Sequence, residues 1–248
     1  MGPRRRLDLE LVRRGLVASR AQAADAIAAG RVTVAGATAD KPSRLVAPSE
    51  PVELLGPPPR FVGRGGEKLE GALAAFPGIE VAGRRALDAG ASTGGFTDCL
   101  LQRGAREVVA VDVGHGQLHP RLRADPRVVV RERTDVRALD PAAIGGPVDL
   151  VVADLSFISL RSVHDALLRL VVPGGPLVLL VKPQFEAGRA EASRGRGVVR
   201  DPEVHARVRA EVDGALQARG AAIMGWMTSP LRGADGNVEF FVAARAPG

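Results

Sequence analysis

Tyrosine is missing from this 248-residue sequence, tryptophan occurs once, and aromatic side chains make up only 3% of it. So few rings leave little for base stacking or for anchoring a chain at a membrane interface. A single cysteine, Cys99, excludes an internal disulfide and a cysteine-built metal cage. The four histidines (115, 119, 164 and 205) form no ligand set, so no metal is expected. No run approaches the roughly 20 apolar residues of a membrane span. Met1-Gly2-Pro3-Arg4 leads into a mixed polar helical pattern, not an apolar leader. A cytoplasmic chain without a membrane partner is the expectation. Lysine is scarce too: of 34 basic side chains, only Lys41, Lys68 and Lys182 are not arginine.

What is present begins with a core. A 46% hydrophobic content supports folded domains and argues against disorder. The net charge of +6 is uneven, because residues 1–68 hold twelve Lys/Arg against seven Asp/Glu and so five of the six excess charges. A basic front end implies a polyanionic partner. There Leu7, Leu9, Leu11, Val12 and Leu16 predict a short helix ended by Gly15. Ser19 is the expected cap of a second helix, through Ala23, Ala24 and Ile27, which Gly30 stops. Val32-Thr33-Val34 alternates as a strand with Ala35-Gly36 as its turn, and Val52–Leu55 is a further strand. Pro57-Pro58-Pro59 has no amide donors and reads as a domain boundary. Arg4, Arg6, Arg20, Arg31 and, beyond the prolines, Arg64 are the candidate contacts to that polyanion, since guanidinium forks match phosphates.

From Arg84 onward short apolar runs alternate with helical patterns. Ala86–Asp88, Val108–Asp112, Val128–Val130, Leu150–Ala153 and Leu177–Val181 have the character of buried parallel strands. A helix over Arg161–Leu170, a long helix from Asp201-Pro202 through Ala218, and strands at Ile223–Met227 and Val238–Ala243 complete a doubly wound α/β pattern. Ligands in such sheets bind at the carboxyl ends of the strands. The first strand ends in Asp88-Ala89-Gly90, and Ser92-Thr93-Gly94-Gly95-Phe96-Thr97 opens a helix. Its spacing is G-x-x-x-G-G, which suits a dinucleotide pyrophosphate less well than G-x-G-x-x-G. S-adenosylmethionine has no phosphate to cradle, and an acid such as Asp88 can receive its amino end. Asp112, at the end of the second strand, can accept the ribose hydroxyls, and Asp135, after the third, the adenine amino group. The expected cofactor residues are Asp88, Gly90, Ser92, Thr93, Gly94, Gly95, Phe96, Asp112, Asp135 and Val136.

In a chain so biased toward arginine, a lysine is a candidate for work that guanidinium cannot do, because ammonium loses its proton when burial lowers its pKa. Lys182 falls at the end of the strand Leu177–Val181, and Asp154 ends the strand Leu150–Ala153. Two groups of residues also carry a resemblance. Arg6-Leu7-Asp8, the Gly15–Arg20 and Ile27–Gly36 strings and Asp40-Lys41-Pro42-Ser43 resemble an S4 RNA-binding domain. Lys68, Asp154, Lys182 and Glu239 match in order and context the Lys-Asp-Lys-Glu tetrad of the FtsJ-like RNA 2′-O-methyltransferases. With Arg64-Gly65-Gly66-Glu67-Lys68-Leu69, Asp154–Leu160, Lys182–Glu186 and Gly236–Phe240, the chain is similar to the TlyA/hemolysin A family. Gly63 stands where a serine is usual and Phe61 where tryptophan is frequent.

The resemblance implies a doubly wound, Rossmann-like methyltransferase sheet with a small N-terminal α+β S4 domain. The expected division is an S4 domain over 1–59, an interdomain linker over 60–67 and a methyltransferase domain over 68–248. It implies S-adenosylmethionine-dependent methylation of a cytidine 2′-hydroxyl in 16S, and also 23S, ribosomal RNA, with naked RNA or ribosomal subunits as partner and a monomeric enzyme. Lys182 would take the hydroxyl proton, Asp154 and Glu239 would orient it, and Lys68 would hold the ribose or its phosphate. Three alternatives stand beside this reading. A base N-methyltransferase would carry prolines where Asp154-Leu155-Ser156-Phe157 has none, and cytosine C5 chemistry needs a cysteine elsewhere than Cys99. A membrane-active hemolysin lacks spans and aromatic anchors. A non-catalytic RNA-binding assembly factor is disfavoured by the intact tetrad.

Overall fold

A computed structural model describes residues 3–17, 20–57, 59–188, 191 and 197–248. Ser19, the expected helix cap, and Pro58, within the proline stretch, lie outside the described residues. The chain forms two compact units, residues 1–63 and 64–248.

In the first unit, β1 (Arg5–Arg6) leads into α1 (Leu7–Arg13) and α2 (Arg20–Ala28). Short strands follow: β2 (Val32–Val34), β3 (Ala37–Thr38), β4 (Leu45–Val46) and β5 (Val52–Leu54). β2 is the centre of a three-stranded sheet, antiparallel to β3 and β5, while β1 pairs with β4. Ala35 and Gly36 both adopt positive φ, the backbone of a tight two-residue hairpin turn. Leu7, Leu11, Ile27, Val32, Val34 and Val46 fill the core. The apolar pattern of α1 is not followed throughout. Leu9 is exposed, whereas Asp8 and Glu10 are buried. Each carboxylate is compensated by two guanidinium groups: Arg6 and Arg20 on Asp8, Arg13 and Arg14 on Glu10. A buried charge is tolerated when it is paired in this way.

The expected linker over 60–67 is divided by the structure. Gln22 Nε2 donates to the carbonyl oxygens of Phe61 and Val62, which keeps that stretch on the first unit. Residues 64–67 instead form the first turn of α3 (Arg64–Ala75).

The second unit continues with β6 (Arg85–Ala89), α4 (Gly95–Gln102), β7 (Glu107–Val111), α5 (Pro120–Arg123), β8 (Val128–Arg131) and β9 (Leu150–Ala153). Then come α6 (His164–Leu170), β10 (Pro176–Val181), α7 (Pro183–Glu186), a long helix α8 (Pro202–Gln217), β11 (Ala222–Thr228) and β12 (Phe240–Arg245). The helix expected over Arg161–Leu170 is shortened, because Ser159 caps a separate 3-10 turn at Leu160–Ser162. The seven-stranded sheet has the order β11-β12-β10-β9-β6-β7-β8. β8, β7, β6, β9 and β10 are mutually parallel, and β12 is antiparallel between β10 and β11. Every residue of β9 and β10 is buried, as parallel strands covered on both faces require.

Two features of this topology position chemistry. β6 has β7 on one side and β9 on the other, so the connections leave in opposite directions and open a crevice at the carboxyl ends. Val181 at the end of β10 pairs with Phe240 at the start of β12, which sets Lys182 and Glu239 at the same edge of the sheet.

Candidate active site

The turn after β6 is shaped by its glycines, though not all of them serve the crevice. Gly90 has φ +86°, and a Cβ there would collide with the carbonyl oxygen of Asp154. Gly94 has φ +96°, and its bare face is filled by Leu118 and Leu122. A Cβ on Gly95 would stand 2.9 Å from the backbone nitrogen of Gly66, so this glycine lets α3 approach α4. Phe96 is buried and stacks on Phe241 with ring centroids 6.1 Å apart.

A cavity of about 610 Å³ lies in the crevice, within the range of small-molecule sites. Of the expected cofactor residues, Gly90, Ser92, Asp112, Asp135 and Val136 line it, while Asp88, Thr93, Gly94, Gly95 and Phe96 do not. Asp88 is turned inward. It is fully buried, Thr97 Oγ1 donates to its Oδ2 at 2.7 Å, and its Oδ1 has no hydrogen-bond partner. Burial pushes its pKa up to about 7 against the Thr97 bond, with the charges of Asp154 and Asp112 adding to the rise. The expected reach of Asp88 to a cofactor amino group therefore gives way to a brace inside the turn.

Asp112 faces the cavity with both oxygens already in use. Oδ2 accepts from Ser92 N at 2.8 Å and Oδ1 from Gly114 N at 2.6 Å. These bonds hold the carboxylate still and leave each oxygen a second lone pair for a hydroxyl. Asp135 caps the turn at Val136–Ala138 and is held by Arg137, through its backbone N–H at 2.9 Å and its guanidinium at 2.5 Å. That pairing pulls the Asp135 pKa down. The pair is largely exposed, so an entering amino group would displace a weakly held guanidinium. The cavity also takes in Gly114, Gln117 and Thr134, which the sequence does not mark, and Leu155, Ser156, Phe157 and Ile158 of the Asp154–Leu160 string, which are not among the expected cofactor residues. Their common signal is position, since each follows the end of a parallel strand. A nucleoside with an amino-acid tail fits this donor set: acids at the strand ends, apolar Leu155, Ile158 and Val136 between them, and no room for side chains at Gly90.

The four tetrad side chains meet as two ion pairs. Lys68 Nζ donates to Glu239 Oε2 at 2.6 Å, and both residues are buried. Lys182 Nζ lies 2.6 Å from Asp154 Oδ1 and donates to Ser156 Oγ at 2.7 Å. The expectation that Asp154 and Glu239 both orient Lys182 is thus revised: Glu239 belongs to Lys68. The β10–β12 register sets Glu239 and Lys182 at one edge of the sheet, but the Glu239 carboxylate accepts from Lys68 of α3. The backbone around Glu239 is pinned by Asn237, whose buried side chain accepts from Val199 N at 2.9 Å and donates to Gly197 O at 2.8 Å.

The candidate RNA arginines divide as well. Arg6 and Arg20 are surface-exposed and share Asp8, Arg6 through Nε at 3.0 Å and Nη2 at 3.1 Å and Arg20 through Nη2 at 2.8 Å. Those bonds leave the Nη1 side of each fork unused. Arg31 is instead committed to the carbonyl oxygens of Leu55 and Pro57 at 2.9 and 2.5 Å, a structural tie. Arg4 is exposed, and Arg64 Nη2 donates to Arg232 O at 3.1 Å. Among the described residues no group of three or more His, Cys, Asp or Glu could hold a metal ion, and no helix is long and apolar enough to cross a membrane.

The FtsJ-like methyltransferase family model matches residues 61–246, and the S4 domain model residues 5–52. The chain is 54% identical over 246 residues to the 16S/23S rRNA (cytidine-2′-O)-methyltransferase TlyA of Mycobacterium tuberculosis, covering 99% of this chain and 91% of that protein. It is 36% identical over 236 residues to Hemolysin A of Brachyspira hyodysenteriae, covering 95% and 97% of the two. A solved structure named as a hemolysin from Streptococcus thermophilus superposes with TM-score 0.79 at 40% identity, over 99% of this chain and 89% of that one. The N-methyltransferase NodS of Bradyrhizobium japonicum, solved with S-adenosyl-L-homocysteine, shares the fold alone, with TM-score 0.52 at 19% identity over 75% and 86%. Two ion-paired lysines at the edge of a methyltransferase sheet, in a chain that also carries a basic S4 unit, agree with these likenesses, and the chain belongs to the TlyA/hemolysin A family of FtsJ-like methyltransferases.

Proposed function

We propose that this protein, as a cytoplasmic monomer, methylates the 2′-hydroxyl of a cytidine in 16S and also 23S ribosomal RNA, using S-adenosylmethionine. The observation that carries the reading is Lys182, whose Nζ lies against Asp154 and Ser156, two residues that line the cavity. Bound S-adenosylmethionine supplies a methyl group already activated on a sulfonium. The chain's own residues do the rest. Gly90, Asp112, Asp135 and Val136 would hold the nucleoside, with Asp112 accepting ribose hydroxyls and Asp135 the adenine amine. Leu155 and Ile158 exclude water from the apolar side of the cavity. Lys182 takes the proton of the acceptor hydroxyl, a step worth about 10²–10⁴-fold. Lys68, fixed by Glu239, steers the acceptor ribose or its phosphate. Alignment of the reacting atoms is the larger effect, roughly 7–11 kcal/mol in favourable cases. Arg4, Arg6, Arg20 and Arg64 supply phosphate contacts, and with so few aromatics recognition rests on RNA shape.

The test is incubation with labelled S-adenosylmethionine and purified ribosomal subunits, followed by mapping of nuclease-resistant dinucleotides. Label on ribose is expected, and label on a base overturns the assignment. Replacement of Lys182 by alanine should reduce turnover by about two orders of magnitude or more. Full turnover in that variant would dismiss the proton-transfer role.

A further inference from the structure

The geometry points to Ser156 as a positioning residue that sets the direction of the Lys182 nitrogen. The inference rests on the reading that Lys182 takes the hydroxyl proton. In that step the 2′-oxygen forms its bond to the methyl carbon, the carbon–sulfur bond breaks with its electron pair going to sulfur, and the hydroxyl proton passes to the Nζ lone pair. Neutral amine plus sulfonium become ammonium plus thioether, so charge is conserved.

A lysine nitrogen turns freely about its Cε–Nζ bond. To receive a proton it must be neutral, with two N–H bonds and one lone pair, and the lone pair must face the acceptor. An ion contact alone does not secure that, because the attraction between charges depends on distance far more than on angle. Here the Asp154 contact has no hydrogen-bond alignment: Oδ1 sits 2.6 Å from Nζ yet makes no hydrogen bond. The aligned bond runs to Ser156 Oγ, at 2.7 Å. Fixing one N–H on a hydroxyl oxygen fixes the other two tetrahedral positions of the nitrogen. One of those two carries the remaining N–H and the other the lone pair, so the lone pair has two directions open to it and not a full circle.

Ser156 itself sits at the start of a constrained loop. Its neighbour Phe157 has φ +65°, a backbone that costs a residue with a side chain about 1 kcal/mol or more. Farther along the same loop, the buried Glu186 accepts from Ser159 Oγ at 2.5 Å and from Leu160 N at 2.6 Å. Glu186 closes the helical turn that starts directly after Lys182. The Lys182–Ser156 and Glu186–Ser159 bonds therefore stitch the same two segments together twice, and the nitrogen and its acceptor share one frame. Asp154 and Ser156 both line the cavity.

The experiment compares Ser156→Ala, Ser156→Thr and Lys182→Ala in the full-length enzyme, with kcat, KM and pH–rate profiles on ribosomal subunits and a calorimetric Kd for S-adenosylmethionine. Ser156→Ala should lower the plateau kcat about tenfold or more, the scale of one well-directed hydrogen bond, with both KM values and the Kd within about twofold of wild type. Alkaline pH should not restore the loss, and Ser156→Thr should recover most of it. If Ser156 only tuned the amine, losing an acceptor for ammonium would move the rising limb to lower pH and leave the plateau intact; that result overturns the inference. So does a Kd that weakens in step with kcat, which marks a collapsed loop, or a failure of threonine to rescue. Turnover by Lys182→Ala would remove the underlying reading, whereas an inactive Lys182→Ala beside a normal Ser156→Ala removes the Ser156 role alone.

Discussion

Asp88 and the two lysines show how differently single residues declare themselves. Lys68 and Lys182 are conspicuous in sequence because the chain otherwise uses arginine, and both come to the sheet edge. Asp88 is equally conspicuous at a strand end, yet it faces inward, because the hydroxyl of Thr97 nine residues on offers it a partner inside the turn. No spacing rule distinguishes a carboxylate that looks outward from one that looks inward. Its environment predicts a pH effect of definite sign. With a pKa near 7 in the fold and about 3.9 when unfolded, Asp88 binds more protons in the native state across that window. Stability should therefore fall as pH rises through it, by an amount on the order of a few kcal/mol when complete. Urea titrations at about pH 5 and about pH 8 should show this slope, and Asp88→Asn, which keeps an acceptor for Thr97, should flatten it. An unchanged slope in that variant would rule Asp88 out as its source.

At the scale of elements, the parallel strands were legible and the interruptions were not. Runs such as Leu150–Ala153 and Leu177–Val181 are apolar throughout because both faces of the sheet are covered, and this leaves a plain mark in sequence. The helix before β10 is shorter than its apolar pattern predicts, because Ser159 reads like any polar residue until its capping bond is seen. In the same way, Gly94 and Gly95 look like cofactor glycines, but their missing side chains make room for Leu122 and for the backbone of α3. Helix α1 departs furthest from its pattern, with Leu9 outside and Asp8 and Glu10 inside. Ion pairing to Arg6 draws the Asp8 pKa down to about 2 against the pull of burial. Asp8 thereby holds two exposed guanidinium groups in a fixed pair. Simple electrostatics predicts tighter RNA binding when this negative charge is removed. If fixed geometry matters more, Asp8→Asn should instead weaken affinity for ribosomal RNA by several-fold, roughly 1 kcal/mol, with the fold checked by circular dichroism. Tighter binding would show that the net charge of α1 outweighs its order.

For the molecule as a whole, the boundary between residues 63 and 64 matters for any dissection. A cut after the prolines leaves Phe61 and Val62 without Gln22, while a cut at residue 68 removes the first turn of α3. Residues 64–248 alone should keep the affinity for S-adenosylmethionine, since the cavity lies wholly within them. They should bind ribosomal RNA more weakly and with a shallower dependence on salt, because most of the excess positive charge has gone. Filter binding over a salt series would decide it, and an unaltered slope would relocate the RNA contact to the second unit.

The antiparallel β12 lies inside the sheet although it follows β11 in the chain. During synthesis β11 emerges first and has no strand to pair with until β12 slips between it and β10. The residue just before β12 is Glu239, so the partner of Lys68 arrives with the same strand. Closing the sheet and completing the active edge are then one late event. Until β12 has emerged, a nascent chain carries no finished site with which to modify the RNA of the ribosome that makes it.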